Sequence, residues 1–171
     1  LNLTSLTCWS GADPFSNNDG FSMLNQNQAR CDAVPGSANY DIGHVYSTGG
    51  GGVAQLACVG IAGSKAKGVT GLPSPTGDAF DIDYVAHEMG HQYGGRHSFN
   101  GTTGACAGNR DSVAAYEPGS GSTIMSYAGI CGAENLQAHS DAYFHTKNID
   151  EMVAWRNNVS SGGTSSTAVE E

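Results

Sequence analysis

An α/β chain of the α+β kind is predicted by three features of the order in which residue types follow one another. Short runs of strand formers, separated by glycine-rich turns and one helical segment, occupy the first 60 positions. A block with helical spacing follows at 81–93 and is stopped by Gly94 and Gly95. From 98 to about 138 the chain is mostly Gly, Ser, Asn and Thr without periodicity, and a second helical block closes it.

Taken in order, LNLTSLTCW alternates apolar and polar residues and reads as a strand. GADPFSNNDG is a loop, and FSMLNQNQARCDAV, ended by Pro35 and Gly36, predicts a surface helix over roughly 21–33. YDIGHVYS is a short strand, and GVAQLACV at 52–59, entered through consecutive glycines, is read as an edge strand. GVTGLPSPTGDAF is turn-rich. In DIDYVAHEMGHQYGG, Asp81 or Asp83 is the expected cap, and Ile82, Val85, Ala86 and Met89 form the expected buried stripe. DAYFHTKNIDEMVAWRNNV is the closing amphipathic helix, and residues 159–171 have linker composition.

A chain of 171 residues with 39% hydrophobic content can bury one core and is read as one domain. Its net charge of −9, with no basic run, makes nucleic acid a poor partner. No apolar stretch approaches the roughly 20 residues that span a bilayer, which disfavours membrane insertion. Five cysteines without a CxxC pair favour disulfides over a structural zinc ribbon. Sequence does not fix their pairing; Cys106 with Cys131 and Cys8 with Cys31 are expected, leaving Cys58 unpaired, with reduced buried cysteines as the alternative.

HEMGHQYGGRH, residues 87–97, holds three of the chain's six histidines. His87 and His91 stand four apart on a helix, so they project from one face and can reach a single metal. Gly94 can adopt a left-handed backbone conformation that ends the helix and returns His97 to the same point. Three imidazoles leave a fourth zinc position open, the pattern of a catalytic rather than a closed site. Glu88, one position round, is expected to act on water as general base and then general acid. Amide hydrolysis by a metal-activated water is the chemistry these residue types suit.

His87, Glu88, His91, Gly94 and His97 match the signature of the metzincin metalloendopeptidases, which the chain resembles. STIMSYAG supplies Met125 for the methionine-containing turn that this resemblance places beneath the zinc. Tyr127 resembles the tyrosine that stabilises the tetrahedral intermediate in astacin-like and serralysin-like members. Within the metzincins, YDIGHVYSTGGGGVAQLACVG, KAKGVTG and PGSGSTIMSYAGICG are similar to the bacterial reprolysin-like (adamalysin-related) branch over about residues 1–155. Two positions depart from it: Ser98 stands where adamalysins usually have Asp, and Tyr127 is atypical. HSFNG and MSY are also similar to pappalysin-like enzymes.

The resemblance implies a metzincin-type catalytic domain over 1–158, with an upper subdomain at 1–95 and a lower one at 96–158. Its sheet should be twisted and mixed, with an antiparallel edge strand at 52–59 along which an extended protein or peptide substrate lies. Tyr127 to Ile130 should wall the pocket for the side chain after the scissile bond. A first strand and long helix are expected upstream of LNLTSLTCW, as a separate N-terminal segment, or the chain is a fragment; a propeptide is a further expected partner. The implied product is a secreted or extracellular enzyme, in the periplasm or on a cell surface where the source has one. Ca2+ is a secondary expectation whose ligands are unassigned, since DPFSNNDG fails the EF-hand spacing. The rival from another class is an inactive zinc-containing binding or adhesion module.

Overall fold

The computed structural model describes residues 12–159. The strand expected in LNLTSLTCW, the partner expected for Cys31 at Cys8 and the tail from residue 160 lie outside the described residues.

Helix α1 spans Gly20–Cys31, close to the expected 21–33. Asp19 caps it, accepting the Ser22 N–H at 3.0 Å, which satisfies one donor of the open first turn. Its inner face is polar as well as apolar. Met23, Asn27 and Gln28 are buried, and the two amides clamp residue 66, Asn27 donating to its carbonyl at 2.6 Å and Gln28 accepting its N–H at 2.7 Å. The helix therefore docks by hydrogen bonds where an apolar stripe would slide.

Three short strands form a mixed sheet in the order β1-β3-β2: β1 is Val45–Ser47, β2 is Gly51–Ala54 and β3 is Gly68–Gly71. β1 runs parallel to β3, and β2 runs antiparallel to it as the edge strand among the described residues. With its helices, this sheet makes the α+β domain that the sequence predicts. β3 corrects the sequence reading of GVTG as turn. Its four residues are all buried, and their strand state comes from pairing on both sides, which two glycines in four positions conceal.

The edge strand is also shorter than the expected 52–59. Beyond Ala54 the chain leaves the sheet, takes a positive φ of 56° at Ala57, and donates the N–H groups of Ala57, Cys58 and Val59 to the carbonyls of His91 and Gln92 at 2.9, 2.9 and 3.1 Å. The last carbonyls of a helix have no partner within it, and here they capture residues 57–59 away from β2.

The site helix is one continuous run in three segments, Asp78–Phe80, a wide π-turn stretch Asp81–Ala86, and His87–Gln92. Neither Asp81 nor Asp83 caps it; the N-cap is Gly77, with no side-chain hydrogen bond. The expected buried stripe is also displaced. Ile82, Val85, Ala86 and Met89 are only partly buried, while His87, Glu88, Gly90 and Gln92 are buried. The face turned inward is the one carrying the chemistry.

From 98 to 138 the chain is irregular, as its composition predicts, apart from short 3-10 turns at Gly104–Cys106 and Gly132–Glu134 and a single parallel bridge between Phe99 and Glu117. Cys106 and Cys131 form the expected disulfide, and with Phe99 they make a fully buried cluster against which Tyr127 packs. Cys58 is buried without a disulfide. The closing helix is Thr146–Asn158, started by His145, whose ring accepts the Lys147 N–H. Among the described residues no helix is long and apolar enough to cross a membrane.

Candidate metal centre

His87 and His91 project one turn apart from the site helix. Gly94, at φ 93°, reverses the chain; its N–H bonds to the His91 carbonyl at 2.8 Å and that of Gly95 to the Gly90 carbonyl at 2.9 Å. A side chain at this φ would be strained. The reversal brings His97 back, so that His91 Nε2 lies 3.1 Å from both His87 Nε2 and His97 Nε2.

Each ring is held by its other nitrogen. Nδ1 of His87 faces the Ile124 carbonyl, that of His91 the Gly95 carbonyl and that of His97 the Asn109 carbonyl, all at 2.7 Å. A carbonyl oxygen only accepts, so each Nδ1 carries the proton and each Nε2 turns a lone pair to the common point. Burial pushes all three imidazoles below their ordinary pKa, His91 to about 4, with the neighbouring histidines adding to the effect at His87 and His91. Three neutral imidazoles at one point are the donor set of zinc with an open position. No other group of three His, Cys, Asp or Glu side chains converges in this way among the described residues.

Glu88 is buried, and its carboxylate lies directly beneath Gly52 of β2. Burial raises its pKa to about 8. The Tyr127 ring stands 4.6 Å from that of His97 and 5.6 Å from that of His87. Burial, and then the Glu88 charge, lift its hydroxyl to about 12, so it remains a donor. Glu88, His91, His97 and Tyr127 line one cavity of about 420 Å³ between β2 and the site helix.

Met125 is completely buried below this group, packed against Gly90 and Gly95. A Cβ at Gly90 would collide with the Met125 sulfur and come within 3.1 Å of Phe144. Gly90→Ala is expected to cost about 1–3 kcal/mol, the usual penalty of overpacking, and to weaken zinc binding because His87 and His91 flank it. Thermal melts and a competitive chelator titration measure both; unchanged values would show that the floor yields.

Several supporting residues were not singled out from the sequence. Arg96, beside His97, has its carbonyl bonded by Asn148 Nδ2 at 2.8 Å and its N–H by Glu151 at 3.1 Å, while its guanidinium pairs with Asp111 at 2.7 Å. The closing helix thus fixes the returning loop. Gln92, fully buried, donates to the Gly43 carbonyl at 3.0 Å and meets His44 Nδ1 at 2.8 Å, while His44 Nε2 meets Thr70 at 2.7 Å. That chain ties the site helix to β3. Glu117 accepts from the hydroxyls of Ser98 and Thr123 and from the N–H groups of Ser122 and Thr123, pinning residue 98 to the turn that carries the His87 partner. By contrast DPFSNNDG spends its side chains on local turn, cap and loop bonds, and nothing in it supports calcium.

No curated protein and no solved structure matches this sequence. The profile of the metallo-peptidase family M12B, reprolysin-like, matches residues 6–149. With three metal-ready imidazoles inside that span, the chain belongs to the reprolysin-like M12B metallopeptidase family, a family of zinc-dependent proteases.

Proposed function

We propose that this chain is a zinc endopeptidase in which His87, His91 and His97 hold the ion and Glu88 is the general base. The observation that carries the reading is the convergence of three neutral Nε2 atoms beside a buried carboxylate that is not one of them. Zinc held there would supply Lewis-acid activation of a water and of the scissile carbonyl. Glu88 takes the proton of the attacking water and passes it to the leaving amine. Tyr127, protonated at neutral pH, donates a hydrogen bond to the developing oxyanion. Met125, in the turn that follows Ile124, floors the site.

The substrate lies extended and antiparallel along β2, by strand addition to its open edge. Gly51–Ala54 is the usable length, since the amides of 57–59 are already engaged with the site helix. The Cys106–Cys131 disulfide supports an extracellular, periplasmic or cell-surface setting.

Metal analysis should find one zinc per chain. Hydrolysis of a denatured protein should stop when a chelator removes the metal and return when zinc is restored. A chain that takes up zinc but cleaves nothing in a peptide library would be a binding module instead.

A further inference from the structure

A second cavity, of about 520 Å³, opens beside the first and shares Gly51, Gly52, Glu88, Asn109 and Tyr127 with it. Leu72, Tyr84, Ala128 and Ile130 contribute apolar wall. Away from the metal site its polar lining is Asp83, Asn109, Ser126, His139 and Ser140, and no Lys or Arg lines it.

The strand geometry says which substrate residue enters. β2 runs from Gly51 to Ala54, and a peptide antiparallel to it runs from the Ala54 end towards Gly51. The Glu88 carboxylate lies beneath Gly52, so the bond under attack sits there. This cavity reaches only the Gly51 and Gly52 end of β2, on the carboxyl side of that bond.

Asp83 stands four residues before His87, in the π-turn stretch of the site helix, and lines the same cavity as Glu88 and Tyr127. The carboxylate is fixed in place: Oδ1 accepts the Ser140 N–H and Oδ2 the His139 Nδ1–H, each at 2.8 Å. Each oxygen keeps a lone pair for a further donor. An anchored carboxylate at 16% side-chain exposure, in a pocket with partly apolar walls and no Lys or Arg, suits an alkyl stem that ends in a cationic head.

With this cavity as the pocket for the residue after the scissile bond, as the family resemblance implies, we propose that Asp83 makes it select Lys or Arg there. The assignment rests on the endopeptidase reading. It gives this cavity's one carboxylate other than Glu88 a specificity role, in a pocket whose apolar walls would accept most apolar residues.

Peptides differing only in Lys, Arg or Leu at that position, assayed with the zinc-loaded enzyme, should be cut with kcat/KM highest for Lys and Arg. Asp83→Asn keeps size and an acceptor for Ser140, and should lower the Lys-to-Leu ratio about 30-fold or more while Leu cleavage and zinc content persist. Preferred cleavage before Leu, or a ratio unchanged in Asp83→Asn, overturns the proposal. A peptide hydroxamate carrying either a lysyl or a leucyl side chain next to the chelator, titrated by calorimetry into the zinc-loaded protein, reads the pocket without turnover. Tighter lysyl binding supports the assignment even if no peptide is cut, in which case the endopeptidase reading alone fails; parity or leucyl preference overturns it.

Discussion

Glu88→Gln is expected to retain zinc at wild-type stoichiometry and to lose about 10²–10⁴-fold in kcat/KM, the range associated with a positioned general acid-base group. The amide matches the carboxylate in size, so the close approach beneath Gly52 is preserved, and the three histidines keep their carbonyl partners at 2.7 Å. What is removed is the ability to take and return a proton. The same variant has a signature in the metal-free protein. Burial raises the Glu88 pKa to about 8 in the folded chain, whereas the unfolded chain releases that proton near the ordinary glutamate value. The folded state then binds more protons, so the stability this group contributes is fully present at low pH and is lost as pH rises towards about 8. Glu88→Gln should flatten that slope in apo-protein melts. Full activity in the variant would remove Glu88 from the mechanism, and lost zinc would make it a ligand or a structural prop.

The convergence of the three histidines is almost directly legible, because it is local. Four-residue spacing puts His87 and His91 on one face, and a glycine that tolerates φ 93° returns His97; eleven residues contain the whole argument. The partners that aim the rings were not legible, since the carbonyls of Ile124 and Asn109 carry no sequence identity. β3 was hidden for the opposite reason: GVTG has little strand character, and pairing on both sides imposes the strand on it. Asp83 resembles a cap because it precedes an apolar, helical run, but the helix starts earlier and the side chain accepts from Ser140 and His139 at the edge of the second cavity. One signal was available and unused. The stretch from 98 to 138 contains only three acids, Asp111, Glu117 and Glu134, and each is a loop clamp: on Arg96, on Ser98 with Thr123, and on the Thr102 and Thr103 amides at 2.7 Å. In a segment that cannot form a ladder, an isolated carboxylate is a natural acceptor for backbone donors that would otherwise be stranded.

Glu117→Ala should therefore be among the most damaging single changes in the chain, lowering stability by about 3–5 kcal/mol, as when one partner of a buried charged network is removed. Glu117 is buried, and the alanine would strand the N–H groups of Ser122 and Thr123, which it accepts at 2.9 and 3.1 Å, together with two hydroxyls. For a domain of this size the midpoint of thermal unfolding should fall by roughly 10 °C or more. Glu117→Gln retains an acceptor and should cost less. Because Ile124, the His87 partner, directly follows this knot, zinc affinity should fall along with stability. Burial alone would raise the Glu117 pKa, but the bonds from Ser122, Ser98 and Thr123 outweigh it and hold the carboxyl below its ordinary value. Its contribution is thus present above the ordinary glutamate range and disappears as pH falls through and below it. Melts of wild type and Glu117→Ala should converge in acid and diverge towards neutrality; a constant gap across that range would mean that packing, and not the ionised carboxylate, ties Ser98 to the turn beneath the histidines.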